Sequence, residues 1–389
     1  MSGIVLSASV RQNLLSLQST ADLLSTTQNR LATGKKVNTA LDNPTNFFTA
    51  QSLDNRASDI NNLLDGIGNG VQVLLAANTG ITSLQKLVDT AKSIANQVLQ
   101  SPTGYATRST VSSVAALGGT ATNLVDGTTI KSGDVLSIAA SAGQPAFTFT
   151  FGASASLSQL NASLAASNLS ATLDSSNKLV ITTTNDAASS TIGAVTFTNT
   201  AGGGTATFGT ASSPVADAAS QSARAALVTQ YNNTIAQITT TAQDASFNGI
   251  NLLSGDSLKL TFNETGKSTL SITGVTFDAA GLGLRSLVSG SDFLDNNSAN
   301  KAIASLSSAS SALRSEASTL GSNLSIVQTR QDFSKNLINV LQTGSSNLTL
   351  ADTNEEAANS QALSTRQSIA VSALALANQS QQSVLQLLR

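Results

Sequence analysis

Written at alternating steps of four and three, Val10, Leu14, Leu17, Ala21, Leu24, Gln28 and Leu31 place one apolar seam along the first thirty residues, interrupted only by Gln28. That step keeps side chains on one side of a helix and turns them toward another helix. It predicts a helix from Ile4 to Leu31 that needs a partner. The far end of the chain repeats the spacing at Leu363, Gln367, Ala370, Leu374, Ala377, Gln381, Val384 and Leu388, while Ile369, Ala373, Leu376 and Leu387 widen the apolar face. No charged residue lies between Arg366 and Arg389. A helix that meets water on one side normally carries charges there, so a face of Ser, Gln, Asn and Ala predicts a helix covered on most sides by other chains. The candidate interface residues are Val10, Leu14, Leu17, Leu24 and Leu31 at one end, with Ile369, Leu374, Leu376, Val384 and Leu388 at the other.

Between these ends the pattern is nearly symmetric. Gly34-Lys35-Lys36 stops the first helix, because Gly accepts the left-handed C-cap and the lysines meet the negative end of the dipole. Asp42-Asn43-Pro44 opens a second, running to about Leu99 through Leu53, Ile60, Ile67, Leu74, Ile81, Leu84, Val88 and Val98. Its glycines at 66, 68, 70 and 80 either admit a close neighbour or mark a brief break, since each costs about 1 kcal/mol against Ala. After Ser101-Pro102 the periodicity changes to two, in Phe147-Thr-Phe149-Thr-Phe151 and Leu179-Val-Ile181, which predicts strands. Leu157, Leu160 and Leu164 predict one short helix between them, followed by a strand over Leu169 to Leu173 and a turn at Asp174 to Asn177. The alternating Phe residues argue against disorder here despite the low charge.

Helical spacing returns at Val215 and runs through Ala219, Ala223, Leu227, Tyr231, Ile235 and Ile238. Leu258, Leu260 and Phe262 then alternate, and Leu270 and Ile272 alternate back, which predicts a hairpin. From about Asn297 to Asn347 the four-three step holds through Ile303, Leu306, Ser310, Leu313, Ala317, Leu320, Leu324, Val327, Gln331, Ser334, Ile338 and Leu341. At 1.5 Å per residue that seam spans about 58 Å. The expected fold class is mainly α with a smaller α+β part: long terminal coiled-coil helices, a helical rod domain with a β-hairpin, and an inserted outer β-containing domain. The expected boundaries are 1–44 with 348–389, 45–108 with 215–347, and 109–214.

Composition narrows the function. Charged residues are 11% of the 389, against about 25% in an ordinary soluble protein, so the surface is Ser, Thr, Asn and Gln. A net charge of -2 with no basic cluster argues against nucleic acid, and no run of about 18 apolar residues is present to insert in a membrane. The opening Met1-Ser-Gly-Ile-Val-Leu lacks the basic and apolar regions of a cleavable signal, so export without a cleaved signal peptide is expected. With no Cys and no His, thiolate, imidazole and most metal chemistry fall away. The adjacent acids Glu355 and Glu356 read as the first turn of a helix capped by Asp352 or Thr353, where negative charge meets the positive end of the dipole. Gly202-Gly203-Gly204 has no following Lys-Ser/Thr and reads as a turn. No catalytic, cofactor or metal residue is predicted.

Three passages carry a family resemblance. Arg30-Leu-Ala-Thr-Gly-Lys-Lys-Val-Asn-Thr-Ala-Leu-Asp-Asn-Pro44, Phe247-Asn-Gly-Ile-Asn-Leu-Leu253 and Ala377-Asn-Gln-Ser-Gln-Gln-Ser-Val-Leu-Gln-Leu-Leu-Arg389 resemble, in the same order, passages of bacterial flagellin. Asp134 to Thr184 resembles a small ββαββ repeat found inserted in some flagellins. The resemblance implies an extracellular filament subunit that assembles with itself into a helical homopolymer for swimming motility. Through that family it also implies a flagellar export chaperone, cap and hook-junction proteins as partners, with export through a type III channel. Where many flagellins present Leu-Gln-Arg-Val-Arg-Glu-Leu to an innate immune receptor, this chain has Leu84-Gln-Lys-Leu-Val-Asp-Thr90, which implies weak or no receptor activation. A hook-filament junction protein is the alternative, and a filament-displayed glycan-binding or enzymatic insert a further one. The insert lacks Trp and clustered carboxylates, the aromatic platforms and acid pairs of sugar chemistry.

Overall fold

The structure, a computed structural model, describes residues 8–141, 144–199 and 204–387, with the side chains of 381 and 384–387 also outside the description. The expected helix start at Ile4, the glycines 202 and 203, and Leu388 lie outside it. In chain order the elements are α1 (Ala8–Thr33), α2 (Pro44–Gln100), β1 (Tyr105–Thr107), β2 (Thr110–Ser112), β3 (Val135–Ile138), β4 (Phe147–Thr150), α3 (Leu157–Leu164), β5 (Leu169–Leu173), β6 (Leu179–Thr183), β7 (Val195–Thr198), β8 (Val215–Ala216), α4 (Ala218–Asp244), β9 (Ser257–Thr261), β10 (Thr269–Thr273), α5 (Asn296–Thr349) and α6 (Thr353–Leu387). No helix among the described residues is long and apolar enough to cross a membrane. The chain forms two compact units: the described residues of 1–69, 259–270 and 326–389, and those of 70–258 and 271–325. It is a mainly helical protein with a smaller strand-bearing part, as the periodicities predict.

In the first unit, Gly34 ends α1 at φ +67°, a conformation that costs a residue without Cβ little. Asn43 opens α2: its Oδ1 accepts from the Asn46 N–H at 3.0 Å, and Pro44 takes the first helical position, where no N–H is needed. Ala57 and Ile60 of α2 bury against Ile338 and Leu341 of α5, with Leu53, Leu64 and Leu337 at the edges. The tip of the β9–β10 hairpin is held from both helices, by Arg56 Nε donating to Glu264 Oε1 at 2.8 Å and by Arg330 lying 5.7 Å from the Phe262 ring centre.

In the second unit α2 continues with Leu74, Ile81, Leu84, Ala91, Ala95 and Val98 buried, α4 buries Leu227, Tyr231, Ile235 and Ile238, and α5 buries Ala299, Leu306, Leu313 and Leu320. Each set steps by three, four or seven, which is why these segments are helices with one inward face. The α2 helix is unbroken through its glycines. At Gly80 the close-neighbour reading holds, because a Cβ there would stand 2.6 Å from Ala245 Cβ and 2.7 Å from Leu253 Cδ1, whereas at Gly66 nothing lies within 4 Å.

One boundary differs from the expectation. Val215 and Ala216 are not helical but form β8, paired antiparallel with β1, and Asp217 then caps α4 by accepting from the Ser220 N–H at 3.3 Å. The strand pair wins because the Asp217 carboxylate caps the helix and fixes its start at Ala218, three residues later.

The inserted region is built on the predicted ββαββ order, but its sheets recruit two strands outside it. They are β2-β6-β5 and β4-β3-β7, all antiparallel. Their shared core contains Leu124, Ile130, Leu136, Ile138, Phe151, Leu160, Leu164, Leu179 and Ile181. A capping box between Ser156 and Gln159 starts α3. Phe149 meets Phe151 edge-on at 5.0 Å, and Phe151 meets Phe197 at 5.8 Å, so the alternating phenylalanines knit β4 to β7 across β3.

Candidate assembly interface

The two terminal helices pair within the first unit. Arg30, near the end of α1, places Nη1 3.3 Å from Oε1 of Glu356 in the first turn of α6, so the helices run antiparallel. Between them the chain turns on a short ladder: Lys36 N donates to Thr349 O at 2.8 Å and Ala351 N to Gly34 O at 3.0 Å. The Asp42 carboxylate holds the following loop by accepting from the Asn38 and Thr39 N–H groups at 3.0 and 2.8 Å, and these bonds keep its pKa below the usual carboxylate range. Asp352 Oδ1 accepts from Asn354 N at 2.9 Å and Glu355 N at 3.3 Å, so the acidic pair does sit in a capped first turn.

The covered face of α6 is the predicted one: Leu363, Gln367, Ala370, Leu374 and Ala377 are half-buried. On α1 the face is rotated from the predicted seam. Val10, at 4% exposure, and Thr27 are buried, and Asn13, Leu17, Thr20, Ala21 and Leu24 are half-buried, whereas Leu14 and Leu31 are exposed. From Val10 the buried phase advances three residues and then four, not four and then three. The short side chains of Asn13, Thr20 and Thr27 lie on the covered side with Leu17 and Leu24, while Leu14, Leu15, Leu23 and Leu31 are exposed.

Much apolar surface is left over. Leu15, Leu23, Ile369, Val371 and Leu376 are more than half exposed, Leu376 most of all at 71%. Of the candidate residues, Val10, Leu17, Leu24 and Leu374 therefore lie in the pair, while Leu14, Leu31, Ile369 and Leu376 face outward. The side chain of Val384 and all of Leu388 are outside the described residues.

Two structural residues had no signal in spacing. Arg224 on α4 is fully buried and donates from Nε to Pro102 O at 2.6 Å, from Nη1 to Phe293 O at 2.6 Å, and from Nη2 to Val98 O, Ser101 O and Asn296 Oδ1 at 3.0, 2.9 and 3.2 Å. It thereby satisfies the orphan carbonyls at the end of α2 with a positive charge. Burial lowers its pKa and the Asp295 carboxylate partly restores it. Asn251 acts similarly for α4: its Nδ2 donates to Ala242 O at 2.8 Å and Gln243 O at 2.9 Å, while its Oδ1 accepts from Leu253 N at 2.9 Å. The preceding Asn248-Gly249 turn, at φ +51° and +79°, joins the bridged residues Phe247 and Ile250. The Phe247–Leu253 passage is thus a helix stop and a turn in one.

Residues 5–132 match the family model of the bacterial flagellin N-terminal helical region, and residues 303–388 match that of the bacterial flagellin C-terminal helical region. Flagellin FljM of Caulobacter vibrioides (strain ATCC 19089 / CIP 103742 / CB 15) is 34% identical over 166 residues, which cover 42% of this chain and 59% of that protein. Flagellins FljK and FljO of the same strain are 33% and 32% identical with the same coverage. The matched part spans 59% of the length of these curated relatives, less than two thirds.

Proposed function

We infer the function from one fact, that the chain belongs to the bacterial flagellin family: it is a structural subunit that assembles with its own copies into the extracellular flagellar filament and serves swimming motility. It carries load by packing, without catalysis. The observation that supports this reading is the apolar surface left bare on both terminal helices, at Leu15, Leu23, Ile369, Val371 and Leu376. Large apolar side chains left exposed in this number on one helix pair suit an interaction surface, and neighbouring subunits would complete their burial. The assignment divides the chain into an assembly part (1–44 and 348–389), a helical part with the hairpin (45–108 and 215–347) and an outward insert (109–214). An export chaperone, a cap and hook-junction proteins are the partners that go with this role.

The test uses Leu376→Asp. Because Leu376 is 71% exposed, the substitution leaves the monomer folded, but in an assembled state it buries an unpaired charge in every subunit at several kcal/mol each. Electron microscopy should find no filaments from a subunit whose circular dichroism is normal; filaments of ordinary length would refute the assignment. The length of homopolymers from purified wild type also separates a filament subunit from a junction protein, which would form only short zones.

Receptor activation is expected to be weak or absent. Where many flagellins have their second Arg, Val88 is fully buried on α2, so no guanidinium fork is presented from that position. A reporter-cell assay giving a response as strong as that to an Arg-bearing flagellin would reject this.

A further inference from the structure

The chain has four steps in which Asp or Asn precedes Gly: Asp65-Gly66, Asn69-Gly70, Asp126-Gly127 and Asn248-Gly249. Glycine has no side chain to shield its amide nitrogen, which can therefore attack the carbonyl carbon of the preceding side chain. The fold treats the four steps differently. Asp65-Gly66 and Asn69-Gly70 lie inside α2, where the helical ladder engages each amide. Gly127 N donates to Ile130 O at 3.1 Å, and Asp126 Oδ1 accepts from the Thr128, Thr129 and Ile130 N–H groups at 2.8, 2.8 and 3.1 Å.

Asn248 and Gly249, by contrast, are both exposed. Their turn is closed by its flanks, with Phe247 N donating to Ile250 O at 3.0 Å and Ile250 N to Phe247 O at 3.1 Å. Among the described residues neither the Asn248 side chain nor the Gly249 N–H makes a hydrogen bond. A Cβ on Gly249 would meet nothing within 4 Å, so no neighbour blocks the approach of its nitrogen. The step also sits where a change would be felt. Asn248 follows closely on Asp244, the last residue of α4, at the negative end of the helix dipole. Asn251 just beyond it holds the Ala242 and Gln243 carbonyls, and Ala245 and Leu253, on either side of the turn, are the residues that a Cβ at Gly80 of α2 would strike.

We propose that Asn248 is a site of spontaneous deamidation, and that the product loosens the end of α4. The Gly249 nitrogen bonds to Cγ of Asn248 and gives up its proton to hydroxide or a buffer base, while the side-chain nitrogen takes a proton and leaves as ammonia. Water then opens the five-membered imide. Breaking the bond from the Gly249 nitrogen to Cγ gives an ordinary aspartate. Breaking its bond to the main-chain carbonyl carbon gives isoaspartate, with the chain rerouted through Cβ and Cγ. Either product adds a negative charge at the negative end of α4 beside Asp244, which is unfavourable. Isoaspartate also lengthens by one carbon the backbone between Phe247 and Ile250, whose paired hydrogen bonds close the turn.

The experiment ages the full chain in mildly alkaline buffer, digests it with trypsin and maps the peptides by mass spectrometry. Cleavage after Lys and Arg places Asn248 in peptide 225–259 and Asn69 in peptide 57–86, so one sample reports both Asn-Gly steps. Asn248 should deamidate at least about tenfold faster than Asn69, because opening a helix interior costs far more than opening an exposed turn. In urea the two rates should converge, since the difference belongs to the fold. Asn248→Gly keeps the positive φ at that position and has no side-chain amide, so its labelling by an isoaspartyl methyltransferase should fall to a small fraction of that of wild type. Aged wild type should melt below fresh protein, and aged Asn248→Gly should melt with its own fresh sample. Equal native rates at Asn248 and Asn69, a difference that persists in urea, or undiminished labelling of Asn248→Gly would each overturn the assignment. Aged chains modified at Asn248 that melt with fresh ones would overturn the loosening.

Discussion

Replacing Arg224 by Met isolates the charge from the volume, since the apolar stem stays and only the guanidinium is lost. The guanidinium serves four backbone carbonyls, of Val98, Ser101, Pro102 and Phe293, and the amide oxygen of Asn296. Each carbonyl stripped of its donor in a buried site costs about 1–3 kcal/mol, so the gross loss is on the order of 4–12 kcal/mol. Removing a fully buried cation returns several kcal/mol of desolvation. The difference leaves a net destabilisation of about 3–5 kcal/mol. For a unit the size of residues 70–258 with 271–325, each kcal/mol moves the midpoint by about 2–4 °C, which gives a fall of roughly 6–20 °C. Differential scanning calorimetry of the full chain measures it, with Arg224→Lys as a second variant. Lys keeps the charge but, as a compact point donor, cannot reach acceptors on three sides, so it should also melt lower than wild type. A midpoint within about 2 °C of wild type for Arg224→Met, the range of a neutral surface change, would show that the five contacts carry no net stability and would refute the reasoning.

Two further outcomes are expected. Burial tends to raise the Asp126 pKa, but bonds from the Thr129 hydroxyl and the Thr128 and Ile130 N–H groups outweigh it and hold the carboxyl well below the usual range. The stability it confers is complete above the ordinary carboxylate pKa of about 3.9 and fades as pH falls toward the folded value. Thermal melts between pH 6 and pH 2 should therefore show Asp126→Asn losing less stability on acidification than wild type, and parallel curves would exclude Asp126 as a contributor. Deleting residues 115–210 should leave filament formation intact, scored by electron microscopy, if the insert is an outward addition; failure to assemble in a chain with normal helicity would make the insert part of the assembly surface.

The long helices were legible because each buries one face through tens of residues: every position named in the α5 seam from Ile303 to Leu341 is buried or half-buried. The phase of α1 was not legible. A four-three spacing starting at Val10 fits two neighbouring phases of one helix, and composition favours the leucine-rich one. The structure instead places the leaner phase, with Asn13, Thr20 and Thr27, toward α6. The roles of Arg224 and of Asn251, the latter inside the quoted Phe247–Leu253 passage, escaped for a different reason. Their partners are backbone carbonyls, which no side-chain pattern marks, and those of Arg224 lie as many as 126 positions away. The pairing of β8 with β1 joins two- and three-residue segments, shorter than any periodicity can register. The ββαββ order was readable from alternation, yet the recruitment of β2 and β7 was not, because each shows only three or four residues of pattern.

The Arg30–Glu356 contact joins residues 326 positions apart. Closing so long a loop brings little local reward along the way, so the α1–α6 pair forms only after both segments exist. The α1 helix is synthesised before α6 and lacks that partner until α6 exists. Through all of that interval its inward face, where Val10, Leu17 and Leu24 are interleaved with Asn13, Thr20 and Thr27, offers a premature partner less apolar grip than an unbroken leucine seam would.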